Sequence, residues 1–227
     1  MAERGEKKLM GSIRAERADE LRKDILDVAE KMFHDYGYAG ATFQKIAETL
    51  GITKGAITYH FKNKHLIMAE LVEIFFIGIR NFIDAHPEYY RNAYWRYSVM
   101  YIYAYRIIMS KRSFQELFYQ EDQIVLWDNV LSKKLKFVYE NIARDFGKSF
   151  TEDELLVTAV MDLGARRNMY HLYMKIPGLD SIDKFCRSHV YMIGCLSRLD
   201  EATIRENIKY AFEFTDAFEL PPLPLFW

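Results

Sequence analysis

Four lysines stand within residues 41–64, at positions 45, 54, 62 and 64, against the single acid Glu48. Hydroxyl and ring groups sit among them: Thr42, Thr53, Thr58, Tyr59 and His60. Ammonium and hydroxyl groups donate to phosphate oxygens, and a lysine also reaches the O6 and N7 acceptors of guanine. The chemistry that suits this set is recognition of a polyanion at one place. The whole chain carries a formal charge of −1, so binding by bulk charge is excluded. Residues 65–227 hold 19 bases and 22 acids, a mildly acidic remainder.

A second constellation is aromatic. Tyr94, Tyr97, Tyr101 and Tyr105 step by three, four and four residues and so share one face of a helix. With Trp127 they suit the wall of a pocket for a flat or apolar ligand. Arg96 or Arg106 would partner the phenols or bind an anionic ligand there. The same stripe suits an aromatic core equally well, and both readings stay open.

Other chemistries find no support. There is no nucleophile–base pair, phosphate loop or metal-ligand set, so neither an enzyme nor a cofactor is expected. Cys186 and Cys195 lie nine apart in an apolar stretch, which is neither a disulfide framework nor a zinc set. His86, His171 and His189 are separated by long gaps, so no metal is expected. A reducing, cytoplasmic setting fits this cysteine usage. The start, MAERGEKKLMGSIRAERADE, is charged and unlike a secretory leader. No run of about 18 uncharged apolar residues exists, so no membrane span is expected.

The elements that must position these groups are helical. The chain has 227 residues, with only 11 Gly and 5 Pro, too few for a turn-rich β fold. Apolar residues recur at helical spacing almost throughout. The expected fold is all-α with nine to ten helices. The first helix covers about residues 18–36, with Gly37 after it. Thr42 caps a short helix that Gly51 ends, and Thr53 caps another over about 54–61. Two short helices joined by a tight glycine-containing turn make a helix-turn-helix. A long helix follows over about 64–85, and Pro87 suits the first position of the next, about 88–109. Further helices are expected at about 113–119, 122–146, 152–174, 181–197 and 201–218. Thr151 and Glu154 form a capping box ahead of the helix at 152.

Four stretches then carry a resemblance: Phe33-His34-Asp35-Tyr36-Gly37-Tyr38, Thr42-Phe43-Gln44-Lys45-Ile46-Ala47, Leu50-Gly51-Ile52-Thr53-Lys54-Gly55-Ala56-Ile57 and Tyr59-His60-Phe61-Lys62-Asn63-Lys64. Together they are similar to the DNA-binding domain of TetR-family transcription regulators, over about residues 20–70. Beyond that, the chain resembles the family only in length and helical character. The resemblance implies four regions: an N-terminal extension (1–17), a helix-turn-helix DNA-binding domain (18–66), a ligand-binding and dimerisation domain (67–220) and a tail (221–227). It implies DNA contacts from Thr42, Lys45, Thr53, Lys54, Gly55, Thr58, Tyr59, His60 and Lys64. Lys64 and the start of its helix would clamp a phosphate. One departure stands out. The family usually has an aromatic, most often Tyr, where this chain has Thr58, which shortens that reach. Arg4, Lys7, Lys8, Arg14 and Arg17 suit either an arm along the DNA or a frayed, solvated extension.

The resemblance also implies a homodimer reading a near-palindromic double-stranded DNA operator. The helices at about 152–174 and 181–197 would form its interface, with Leu155, Ala159, Leu163, Val190 and Ile193 as candidate contacts. The implied function is a repressor released from its operator by a small-molecule effector, aromatic or apolar in character, with coupling through the fourth helix. The alternative is a DNA-binding structural or division-linked protein of the same fold without an effector.

Overall fold

Local hydrogen bonds set the helix ends as the sequence implies. The side chain of Thr42 accepts from Lys45 N at 3.2 Å and that of Thr53 from Ala56 N at 3.2 Å. Thr151 and Glu154 close the capping box: Glu154 N donates to Thr151 Oγ1 at 3.2 Å, and Thr151 N to Glu154 Oε2 at 2.7 Å.

In this computed structural model, residues 2–110, 124–173 and 181–223 are described, and all their regular elements are helical. The α-helices among them are α1 (Ala2–Gly40), α2 (Phe43–Leu50), α3 (Lys54–His60), α4 (Lys64–Asp84), α5 (Ala93–Ser110), α6 (Ile124–Asp145), α7 (Glu152–Tyr173), α8 (Ile182–Leu196) and α9 (Glu201–Ala217). The fold is all-α. The chain divides into two units, residues 1–73 and 74–227. Ile25, Ala29, Ile46, Ile57, Phe61 and Ile67 fill the core of the first. Tyr94, Trp95, Tyr139 and Phe185 anchor that of the second.

Two boundaries differ from expectation. Helix α1 starts at Ala2 rather than near Ala18, so the extension is helical instead of frayed. Its Ala, Glu, Arg, Lys and Met residues are good helix formers and no Pro interrupts them. Gly37 still breaks the run, with φ of 68° inside α1. Helix α5 starts at Ala93 rather than at about 88, because Pro87–Tyr89 forms a separate 3-10 turn. Asn92 provides the real cap, its Oδ1 accepting from Trp95 N at 2.8 Å. The helix expected at 113–119, the end of α7 at Pro177-Gly178 and the last four residues lie outside the described residues. So does the side chain of Trp127.

The candidate dimer contacts need correction. Leu155, Ala159, Val190 and Ile193 are buried in the protomer's own core, and Leu163 is half-buried. Helix α7 is apolar around more than half its circumference. The line through Leu155 and Ala159 turns inward, while Leu156, Val157, Val160 and Met161 are about half exposed or more.

Candidate nucleic-acid interface

The turn between α2 and α3 is built by Gly51, whose φ of 65° lies in the left-handed region. Gly51 N donates to Glu48 O at 3.3 Å and Ile52 N to Ala47 O at 3.0 Å, the paired bonds of a Schellman stop. Ile46, Ala47, Ile57 and Phe61 turn inward, which leaves the opposite face of α3 to solvent.

That outer face and the start of α2 carry all the residues singled out from the sequence except Lys64. Thr42, Lys45, Thr53, Lys54, Gly55, Thr58 and Tyr59 are all exposed, and His60 is half-buried. Tyr59 stands out most, at 83% exposure, with its ring edge-on to His60 at 5.2 Å between centroids. Lys45 Nζ donates to Gly40 O at 3.1 Å, and Thr58 Oγ1 to Lys54 O at 3.0 Å. Both keep their exposure while tied to the backbone.

Gly55 has no internal reason to be glycine. Its φ is not positive, and an added Cβ would meet only Thr53 Oγ1 at 3.6 Å, an ordinary contact. Glycine inside a helix costs about 0.5–1 kcal/mol relative to alanine. No contact among the described residues offsets that cost.

Lys64 sits differently from the expected phosphate clamp. Its ammonium donates to the carbonyls of Tyr38 and Ala41, the latter at 2.9 Å, and lies 4.0 Å over the Tyr38 ring. Burial lowers its pKa from the ordinary lysine value. It ties the end of α1 to the start of α4. Tyr38 is held by a second bond, its hydroxyl 2.8 Å from His65 Nδ1, and burial raises its pKa to about 12.

Arg22 is a positioning residue that the motif did not reveal. Its guanidinium lies 4.2 Å over the Phe61 ring and donates to His60 O at 3.1 Å. It also grips both carboxylate oxygens of Glu70, with Nε to Oε1 at 3.0 Å. One fork thus fixes the end of α3 against α1 and α4. A pairing across 48 residues leaves no trace in local spacing.

The tyrosine face lies wholly inside the second unit, where Tyr94, Tyr97, Tyr101 and Tyr105 are all buried. Tyr94 is a core tie: its hydroxyl donates to Val190 O at 2.8 Å. The other three border a buried ionic cluster. Arg166 Nε donates to Asp162 Oδ1 at 2.8 Å, and Nη2 to Asp162 Oδ2 at 2.8 Å and to Tyr97 Oη at 3.1 Å. Tyr97 in turn donates to Tyr101 at 2.9 Å. His189 Nε2 lies 3.3 Å from Asp162 Oδ1. Burial alone would raise the Asp162 pKa, but Arg166 and His189 hold it well below the usual carboxylate range. Burial, together with the Arg166 charge, lowers His189 to about 4. The cluster is therefore one carboxylate, one guanidinium and one neutral imidazole.

Arg96 and Arg106 do not join it. Arg96 pairs with Asp84, and Arg106 with Asp183 at 3.1 Å and Asp216 at 2.8 Å. No group of three or more metal-ligating side chains occurs among the described residues. No helix among them is long and apolar enough to cross a membrane.

Comparison with known proteins locates this geometry. Residues 25–71 match the family model for bacterial regulatory proteins of the tetR family. The HTH-type transcriptional regulator TtgR of Pseudomonas putida is 47% identical over 58 residues, 26% of each chain. The HTH-type transcriptional repressor AcnR of Corynebacterium diphtheriae is 35% identical over 79 residues, 30% of this chain and 42% of that one. The chain thus spans only about a quarter to two fifths of the length of these relatives. The crystal structure of RolR with its ligand resorcinol superposes with a TM-score of 0.59, covering 92% of this chain and 98% of that one at 15% identity. That likeness extends the shared fold across both units.

Proposed function

We propose that the chain, whose residues 25–71 match the tetR family model, is a sequence-specific DNA-binding repressor of that family, working as a homodimer and released from its operator by a small molecule. Gly55 carries this reading. A helix position that costs stability, has free space around it and sits among exposed Lys54, Thr58 and Tyr59 suits the close approach of a duplex.

Thr42, Lys45, Thr53, Lys54, Thr58, Tyr59 and His60 are the proposed contacts around it. Lysine and hydroxyl groups at the rim hold phosphates, and the start of α3 meets base edges. Lys64 and Arg22 hold the reading head in shape instead. The dimer face is the exposed apolar strip of α7, Leu156, Val157, Val160 and Met161. A C2 pair joined through these strips would carry two reading heads, one for each half of a near-palindrome. RolR binds resorcinol in a related fold and AcnR is a named repressor, which supports effector-released repression here. Helix α4 runs unbroken from Lys64 to Asp84 and is the proposed route from effector to reading head. No catalytic step is assigned, and the site of action is the cytoplasm, where the DNA is.

Selection of duplexes from a random pool by the purified protein tests this reading. A near-palindromic consensus with half-sites one or more helical turns apart is expected. Recovery of sequences without any shared motif overturns it.

A further inference from the structure

Helix α4 carries a glycine in its second half, and no positive φ explains Gly78. Glycine inside a helix weakens it relative to alanine. The three nearest atoms that an added Cβ would meet all belong to Leu223: Cδ2 at 2.7 Å, Cδ1 at 3.3 Å and Cγ at 3.5 Å. The missing side chain of Gly78 thus leaves a notch, and Leu223 fills it.

Leu223 is held there against the run of its neighbours. It is buried, while Glu219, Pro221 and Pro222 before it are exposed in irregular backbone. The chain is anchored once more at Phe218. Tyr103 Oη donates to Phe218 O at 2.5 Å, and the Phe218 ring lies 4.7 Å from His86, 4.8 Å from Phe214 and 5.0 Å from Tyr89. Pro221 and Pro222 have fixed φ angles, so the short span from Phe218 to Leu223 is stiff. It forms a strap that is fastened at Phe218 and seated on α4 through one side chain.

The seat lies on the helix that runs from Lys64, at the end of the helix-turn-helix, to Asp84. Phe76 meets Tyr101 at 6.2 Å, and Phe82 meets Tyr103 at 5.9 Å and Phe214 at 6.5 Å. Gly78 falls between these two aromatic contacts, so Leu223 fixes α4 where only a bare backbone would otherwise face its neighbours.

We propose that Leu223 is a positioning residue for operator recognition: seated on Gly78, it fixes how α4 lies in the second unit and so sets the half-site spacing that the dimer accepts. This rests on the homodimeric repressor reading and goes beyond it, since it gives spacing a determinant outside the DNA-binding domain.

Binding of the full-length protein to its selected operator, and to versions with one base pair added or removed between the half-sites, tests it. The parent should bind the altered spacings about tenfold more weakly or worse. Leu223→Ala removes the side chain from the notch. Gly78→Ala fills the notch while raising helix propensity, and only the far end of a leucine must move to admit it. Each variant should cut the discrimination between spacings to about threefold or less, with the salt slope unchanged because the phosphate contacts are intact. A merely structural role would weaken all spacings equally and leave the discrimination as it is. Circular dichroism checks each fold; if Leu223→Ala does not fold, Gly78→Ala decides. Two results overturn the proposal: a folded variant that discriminates spacings as the parent does, or a parent that accepts all spacings alike. A random pool that yields no consensus sinks the repressor reading itself, and so is told apart from a consensus whose spacing the variants leave untouched.

Discussion

The Lys64 ammonium donates to the Ala41 carbonyl at 2.9 Å and to the Tyr38 carbonyl beside it. The lysine that the resemblance assigns to phosphate forms a clasp across the start of the helix-turn-helix in this structure. Lys64→Met should therefore lower the thermal midpoint of the reading head, costing about 1–2 kcal/mol through two orphaned carbonyls. The slope of log affinity against log salt should stay near the parental value. Lys54→Ala or Lys45→Ala should instead reduce that slope by about one with little loss of stability. A slope that drops for Lys64→Met, with stability unchanged, would return Lys64 to the DNA face.

The Tyr94 hydroxyl lies beside Gly194, where an added Cβ would meet it at 2.8 Å and Ile204 Cγ1 at 2.6 Å. Gly194→Ala should cost about 1–3 kcal/mol by overpacking. Chemical denaturation reads this directly, and a neutral result would remove Tyr94 from the core.

Leu156, Val157, Val160 and Met161 form an apolar strip on the outside of α7. Val160→Glu should yield a folded monomer in analytical ultracentrifugation and weaken operator binding by at least about tenfold, since two linked heads bind far better than one. Leu155 points into the protomer core, so Leu155→Ala should destabilise the fold by about 2–5 kcal/mol without being selective for dimerisation. A dimeric Val160→Glu protein would place the interface elsewhere.

His189 is neutral when folded, with a pKa of about 4 against 6.5 for a free histidine. Between those values the unfolded chain binds a proton that the folded one refuses. Stability therefore falls as pH drops from about 6.5 to about 4, by up to about 3 kcal/mol from this residue. The depressed Asp162 acts only below its free value of 3.8, so the two windows separate. Melting curves from about pH 7 to about pH 4.5 should show a shallower decline for His189→Phe than for the parent. Parallel declines would show that His189 does not titrate in this way.

What was legible in the sequence was local. Thr42, Gly51, Thr53 and the Thr151–Glu154 pair act on backbone within a few residues, so spacing alone located them. The exposed face of α3 followed, because one side of the helix is apolar and the other is not. Long-range pairings left no such mark: Arg22 reaches Glu70, and Asp162 reaches His189 across 27 residues. Four of the five candidate dimer contacts are buried in the protomer for a different reason. Leu155 and Leu156 are neighbours of the same type on a helix apolar around more than half its surface. Only packing decides which of them turns inward. The Asp162–Arg166 spacing of four was the one available sign of the buried cluster.

The central claim is that the exposed face of α3 meets DNA closely at Gly55. Gly55→Ala separates folding from recognition, since its Cβ would meet only Thr53 Oγ1 at an ordinary contact distance. Measured on one preparation, the variant should gain about 0.5–1 kcal/mol in denaturant stability and lose about tenfold or more in affinity for the selected operator. A variant that is more stable and binds the operator as tightly as the parent would contradict the account.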